Sequence, residues 1–91
     1  MSSLDKFVTS RNFTVKMKLD STGRKGKVVT VLDGLPKIEA FLGELTRLLK
    51  QKCGAGGTYL MDKKEGVVEI QGDHRAAIRI FLEKERMQVK E

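Results

Sequence analysis

Between Phe13 and Lys90 the apolar residues change spacing from two to three-and-four and back, twice, and this alternation limits the chain to strands interleaved with two helices. Phe13, Val15, Met17 and Leu19 alternate with Thr14, Lys16 and Lys18, which predicts a strand with one buried face and one wet, basic face. Val28 to Leu32 is a second β-forming run. The intervening Asp20-Ser21-Thr22-Gly23-Arg24-Lys25-Gly26 has turn composition and is longer than a two-residue turn, so a hairpin with a mobile basic tip is expected.

Pro36 suits a first helical position, and Ile38, Phe41, Leu42, Leu45, Leu48 and Leu49 then form one apolar stripe. That helix should end near Cys53, with Gly54 in the left-handed cap conformation. Thr58–Met61 and Val67–Gln71 read as short strands joined by the charged turn 62–66. A second helix from Asp73 to about Glu85 buries Ala77, Ile78, Phe81 and Leu82, and Met87–Lys90 is a final strand. The order is β-β-α-β-β-α-β, and without its first strand it becomes the split βαββαβ plan. The expected fold is therefore α+β, a ferredoxin-like plait with two helices on one face of a mixed sheet.

The chain has 91 residues, enough for one modest core and too few for two. Residues 1–11 carry only Leu4, Phe7 and Val8 among polar neighbours; they are expected as a loosely ordered arm, with Phe7 and Val8 available to dock on the domain formed by residues 12–91. No run approaches the roughly 20 apolar residues that span a bilayer, so the expectation is a cytoplasmic protein without a membrane partner. Cys53 is the only cysteine, which excludes an internal disulfide and multi-cysteine zinc sites.

Net charge is +6, and most of it is local. Arg11, Lys16, Lys18, Arg24, Lys25 and Lys27 face only Asp20 between residues 11 and 27. Such a concentration is the footprint of a polyanion contact, most simply nucleic-acid phosphate, although solvated lysines explain most basic runs in small proteins. A second candidate is Gly66 to Arg75, GVVEIQGDHR, in which a strand runs through a glycine turn into a helix start. There Asp73 is expected as the N-cap, and His74 and Arg75 lie where free backbone donors favour an anion. Arg75, Arg79 and Arg86 fall on one flank of the second helix, either as a basic ridge or as arginines snorkelling over the core; Ile80 points away from the buried set.

Other motifs carry less chemistry. Gly54, Gly56 and Gly57 follow a helix instead of preceding one, so a C-cap and tight return outweigh a phosphate loop. Cys53 lacks the positive helix end that activates a thiol, and no two carboxylates sit in environments that would push their pKa values apart. Tyr59 is the one aromatic expected to face outward. No catalytic residue, metal ligand or cofactor is expected.

Three motifs in order, GRKGKVVTVLDGL at 23–35, KCGAGGT at 52–58 and GVVEIQGDHR at 66–75, resemble the translation initiation factor one family, which includes the eukaryotic start-codon selection factor, its archaeal and bacterial relatives, and the C-terminal domain of density-regulated protein. The resemblance spans about Phe13 to Lys90, and CGAGGT with its short turn looks prokaryotic. It implies an αβ plait that binds the small ribosomal subunit near the decoding site and modulates start-codon and initiator-tRNA selection. By that resemblance Gly23, Arg24, Lys25, Gly26 and Lys27 form a basic loop on ribosomal RNA; the charge window, the helix start and the arginine flank add Lys16, Lys18, His74, Arg75 and Arg79 as further candidate RNA contacts. Asp62, Lys63, Lys64 and Glu65 form the loop facing initiator tRNA and messenger. Implied partners are small-subunit RNA and other initiation factors, bound by a monomer. The alternatives are a general RNA-binding module and an acylphosphatase-like hydrolase. The hydrolase requires an arginine in the loop before the first helix, and residues 32–36 contain none.

Overall fold

The computed structural model describes residues 3–7, 12–21 and 27–91; the expected loop residues Gly23, Arg24, Lys25 and Gly26, together with Val8 and Arg11, lie outside the described residues. The period-two segment forms β1 (Thr14–Asp20), the second β-forming run forms β2 (Val29–Leu35), and the first apolar stripe forms α1 (Glu39–Cys53). There follow β3 (Gly57–Met61), β4 (Gly66–Gln71), α2 (Arg75–Lys84) and β5 (Gln88–Lys90). This is the expected order, with both helices packed on a five-stranded mixed sheet.

The sheet runs β3-β4-β2-β1-β5. In a plain split βαββαβ sheet β5 would neighbour β2; here β1 lies between them, antiparallel to β2 and parallel to β5. The first strand is thus an inner member of the sheet with a partner on each side. Val15 and Met17 of β1 face the core with Leu32, Val68 and Ile70, and α1 contributes Phe41, Leu42, Leu45 and Leu49. From α2 come Ile78 and Leu82. Phe13 meets Phe41 edge-on, with ring centroids 6.4 Å apart at 81°, a favourable aromatic geometry. Ala77 and Phe81 are only half-buried, and Ile80 is 53% exposed.

Several boundaries differ from the sequence reading for local physical reasons. β2 continues to Leu35 through a bulge between Leu32 and Leu35, so Pro36 falls in the connection and α1 begins three residues later, after Ile38. Gly34 makes the bulge: its φ is +77°, and a Cβ there would lie 2.6 Å from the Thr14 carbonyl oxygen. At the other end of α1, Gly54 takes the left-handed cap expected of it, its amide donating to the Lys50 carbonyl. Helix α2 stops at Lys84, and Arg86 (φ 66°) turns the chain toward β5, where it pairs with Asp5 at 3.5 Å. The arginine ridge therefore ends at Arg79. Within the segment read as a loose arm, Ser3–Lys6 forms a short 3-10 helix and Leu4 is fully buried in the core, whereas Phe7 is 38% exposed.

Two glycine substitutions separate strain from packing. Gly34→Ala should cost about 3 kcal/mol, because left-handed strain adds to a backbone clash. Gly54→Ala, with open space around its Cβ, should cost about 1 kcal/mol. Urea denaturation with an unchanged m-value measures both.

Candidate nucleic-acid interface

The basic face of the first hairpin is built by strand alternation. With Val15 and Met17 turned into the core, Lys16 and Lys18 are exposed on the opposite face of the sheet. Sheet register sets Lys16 opposite Asp33 on one side and beside Lys90 of β5 on the other. Lys18 approaches Asp33 at 3.9 Å, a long and exposed pair that holds it weakly. Val29 and Val31 are buried on this open face at 5% and 6% exposure, outside the helix-side cluster. The result is a face with three lysines around a β-branched floor. Sequence pattern alone does not single out Lys90; only the parallel β1–β5 register brings it there.

Lys27 is exposed at the base of the hairpin and lines a depression of about 380 Å³ with Val28, Val29, Gln71 and Gly72. The fold thus joins the hairpin base to the glycine turn before α2. Thr30 secures that junction: its buried hydroxyl donates to the Gly72 carbonyl at 2.6 Å and accepts the His74 amide at 3.1 Å. The Gly72 amide donates to the Val28 carbonyl at 2.8 Å. Gly72 has φ +96°, a conformation that favours glycine, and the His74 ring lies over it, with Nε2 2.7 Å from where a Cβ would stand. Nothing in the period of the sequence distinguishes Thr30 from an ordinary strand threonine.

The start of α2 is occupied from within. The N-cap is His74, not Asp73, and His74 makes no side-chain cap bond. Its amide is held by Thr30, while the Arg75 amide donates to Asp73 Oδ1 at 3.3 Å. The Arg75 guanidinium grips both Asp73 oxygens, at 3.0 and 3.1 Å. Arg79 donates to Glu91 at 3.3 Å and lies 3.7 Å from Glu83. An incoming phosphate would have to displace these carboxylates, so Arg75 and Arg79 are weaker anion sites than Lys16, Lys18 and Lys27.

The turn between β3 and β4 closes through Asp62, whose Oδ1 accepts the amides of Lys64 and Glu65, each at 2.8 Å. The Asp62 amide donates back to the Glu65 carbonyl at 3.0 Å. The Lys63 and Lys64 side chains stay exposed at its apex, while Glu65 is half-buried. This turn lies at the end of the sheet opposite Lys27 and the start of β2, because Gly66 pairs with Leu35 while Gln71 pairs with Val29. Lys27 and the Asp62–Glu65 turn are therefore separated by about the length of β4, roughly 17 Å at 3.4 Å per residue, with Lys18 and Lys16 at successive levels between them, opposite Val31 and Asp33.

The remaining candidates are structural. Gly56 accepts the Gln71 amide through its carbonyl at 2.8 Å, and a Cβ on Gly57 would meet Ile70 at 2.6 Å. Tyr59, expected to face outward, instead packs half-buried against Gly43, and its hydroxyl donates to Glu39 at 3.3 Å. Burial pushes the Cys53 thiol pKa up, away from nucleophile chemistry. Among the described residues no group of acids, histidine and cysteine is placed to hold a metal, and no helix is long and apolar enough to cross a membrane.

A five-stranded plait with a lysine-bearing open face and a charged turn between β3 and β4 defines the class of domain. The chain belongs to the family described as "Translation initiation factor SUI1", whose pattern covers residues 12–90. It is 43% identical over 76 residues to the uncharacterized protein YciH of Salmonella typhimurium, covering 84% of this chain and 67% of that protein. A Synechocystis protein is 42% identical over 76 residues (84% and 65%), and the "Protein translation factor SUI1 homolog" of Methanopyrus kandleri is 48% identical over 59 (65% and 52%). These relatives are bacterial and archaeal, in keeping with the prokaryotic look of the CGAGGT segment. The chain spans about two thirds of the bacterial relatives' length and about half that of the archaeal one.

Two measurements test this geometry. Thr30→Val should cost about 1–3 kcal/mol by stranding the Gly72 carbonyl and the His74 amide, and should speed exchange of the His74 amide; Thr30→Ser should restore both. Hydrogen bonds from Arg75 to Asp73, and from the Lys64 and Glu65 amides to Asp62, lower both carboxyl pKa values. Their stabilisation is complete above the ordinary aspartate value of about 3.9 and is lost as pH falls through the lowered native values. Carboxyl titration by NMR should find both midpoints below that value.

Proposed function

We propose that this domain binds the small ribosomal subunit near the decoding site and modulates selection of the start codon and initiator tRNA. The observation that carries the reading is the open sheet face, where Lys16, Lys18 and Lys90 stand exposed and continue toward Lys27 and the basic hairpin. Membership of a translation initiation factor family supplies the setting. Lysines on a rigid sheet hold phosphates as point charges without reading bases, which fits a factor that must sit on fixed ribosomal RNA whatever the message.

The division of charge between the two ends suggests the mechanism. The hairpin residues Gly23 to Lys27 grip ribosomal RNA phosphates, with His74, Arg75 and Arg79 as secondary contacts once their carboxylates are displaced. At the far end of β4, Asp62 to Glu65 project toward initiator tRNA and messenger. Their internally hydrogen-bonded turn is stiff enough to clash with a poorly fitting codon–anticodon pair and not simply yield to it. The domain acts by occupancy and exclusion, as a monomer in the cytoplasm alongside other initiation factors. It is a binding protein and not an enzyme: burial weakens the only thiol as a nucleophile, and the two shifted carboxyls are held ionised instead of raised for acid catalysis.

Replacing Arg24, Lys25 and Lys27 together by alanine should weaken small-subunit binding. The slope of log affinity against log salt should fall by about one for each phosphate that is no longer neutralised. Lys16→Ala with Lys18→Ala should act in the same direction, while Arg79→Ala should change the slope least. Cosedimentation with separated subunits at two salt concentrations measures this. An unchanged slope in the triple variant removes the hairpin from the interface, and turnover of an acyl phosphate above background would favour the hydrolase instead.

A further inference from the structure

The depression of about 380 Å³ at the hairpin base has a lining that the phosphate contacts alone do not use. Register builds it: Val29 pairs with Gln71, so both side chains stand on the sheet face away from the helices. Val29, at 5% exposure, gives an apolar floor beside Val28. Gly72 adds a wall of bare backbone whose amide and carbonyl are already spent on Val28 and Thr30.

Two polar side chains rim this hollow, Lys27 and Gln71, and both are exposed. Among the described residues neither the Lys27 ammonium nor the Gln71 side-chain amide has a bonding partner. The amide lies over Gly56, where a Cβ would stand 3.2 Å from its oxygen, so a glycine leaves it room. Asp20, across the strand pair from Val29, is engaged within the domain. A free cation, an apolar hollow and a group that both donates and accepts match the parts of a nucleotide: phosphate, flat ring and base edge.

We propose that this depression receives one unpaired base of a bound RNA strand, with Gln71 contacting the base edge and Lys27 the phosphate. The proposal rests on the RNA-binding reading of the open face and deepens it. Lys18 lies opposite Val31, two residues along β2 from Val29 and so roughly 7 Å away. A strand whose phosphates follow Lys16 and Lys18 therefore arrives at the depression. No aromatic ring lines it, so stacking contributes little and discrimination between bases falls to Gln71.

The test uses the full chain, labelled with 15N, and single-stranded pentamers of adenylate, cytidylate and uridylate, each compared with a pentamer of stable abasic units carrying the same phosphates. The RNA pentamers should shift the amides of Val28, Val29, Gln71 and Gly72, whereas the abasic one should shift Lys16 and Lys18 and leave those four unmoved. Affinities for the three bases should span about threefold or more. Gln71→Leu should bring them together, while Lys27→Ala should weaken all three alike and lower the slope of log affinity against log salt by about one. Both residues are exposed, so neither change should disturb folding. The proposal is overturned if the abasic pentamer, or an aspartate pentapeptide, shifts Gln71 and Gly72 as strongly as RNA does, which leaves an anion site only. It also falls if every pentamer shifts Lys16 and Lys18 alone; the RNA-binding face then stands without a base site. No shift with any pentamer overturns both. A response in the depression with failed subunit cosedimentation sinks the ribosomal reading and leaves the base site in place.

Discussion

One buried hydroxyl ties the first hairpin to the turn before α2. Thr30 sits in β2, the central strand, and reaches the turn between β4 and α2 as both donor and acceptor. The turn is further tied to Val28 through Gly72 and shaped by the His74 ring over that glycine. The entry angle of α2, the base of the first hairpin and the end of β4 therefore move as one body. Anchoring of this kind fixes the orientation of the hairpin base relative to the sheet and α2. A hydroxyl is well suited to the task, since it satisfies two backbone groups that would otherwise be left without partners where water has little access.

Pairing sorts the basic residues into two populations. Arg75 and Arg79 spend their donors on Asp73, Glu83 and Glu91, and so reinforce the helix and the segment after β5. Lys16, Lys27 and Lys90 are exposed on or beside the sheet, and Lys18 is held only by a long contact. A charge count treats these arginines and lysines as equivalent. They differ because a phosphate must compete with a bidentate carboxylate at Arg75 and mainly with water at Lys16.

Much of the architecture is legible in the sequence because apolar period is a strong signal and β1, α1, β4 and α2 are amphipathic, while β2, buried on both faces, shows only as a β-forming run. The α1 stripe, the Gly54 cap and the alternation of β1 are all readable in that way. Strand neighbours are not, since period says which face is buried and nothing about who lies beside whom; hence Lys90 and the inner position of β1 emerge only from the sheet. The start of α1 falls later than Pro36 suggests, because proline is also comfortable in an extended connection and the bulge at Gly34 carries β2 further than its β-formers imply. Asp73 suits the cap by residue type, whereas the turn geometry gives that position to His74. Tyr59 turns inward because Gly43 leaves a gap on α1 that a ring on β3 can cover. Leu4 gives no sequence signal because a single apolar residue in a polar segment carries no period at all.

The inner position of β1 also sets an order of assembly. The β1–β2 hairpin forms from residues near in sequence, but the second partner of β1 is β5, and Thr14 Oγ1 meets Gln88 Oε1 across 74 residues at 3.2 Å. Closing so long a loop is entropically the slowest kind of pairing. Until it closes, the lysine-bearing strand is an open edge, and Lys90 is absent from beside Lys16. The cationic face is therefore assembled in two instalments, a local one that appears early and a distant one that arrives with the last strand.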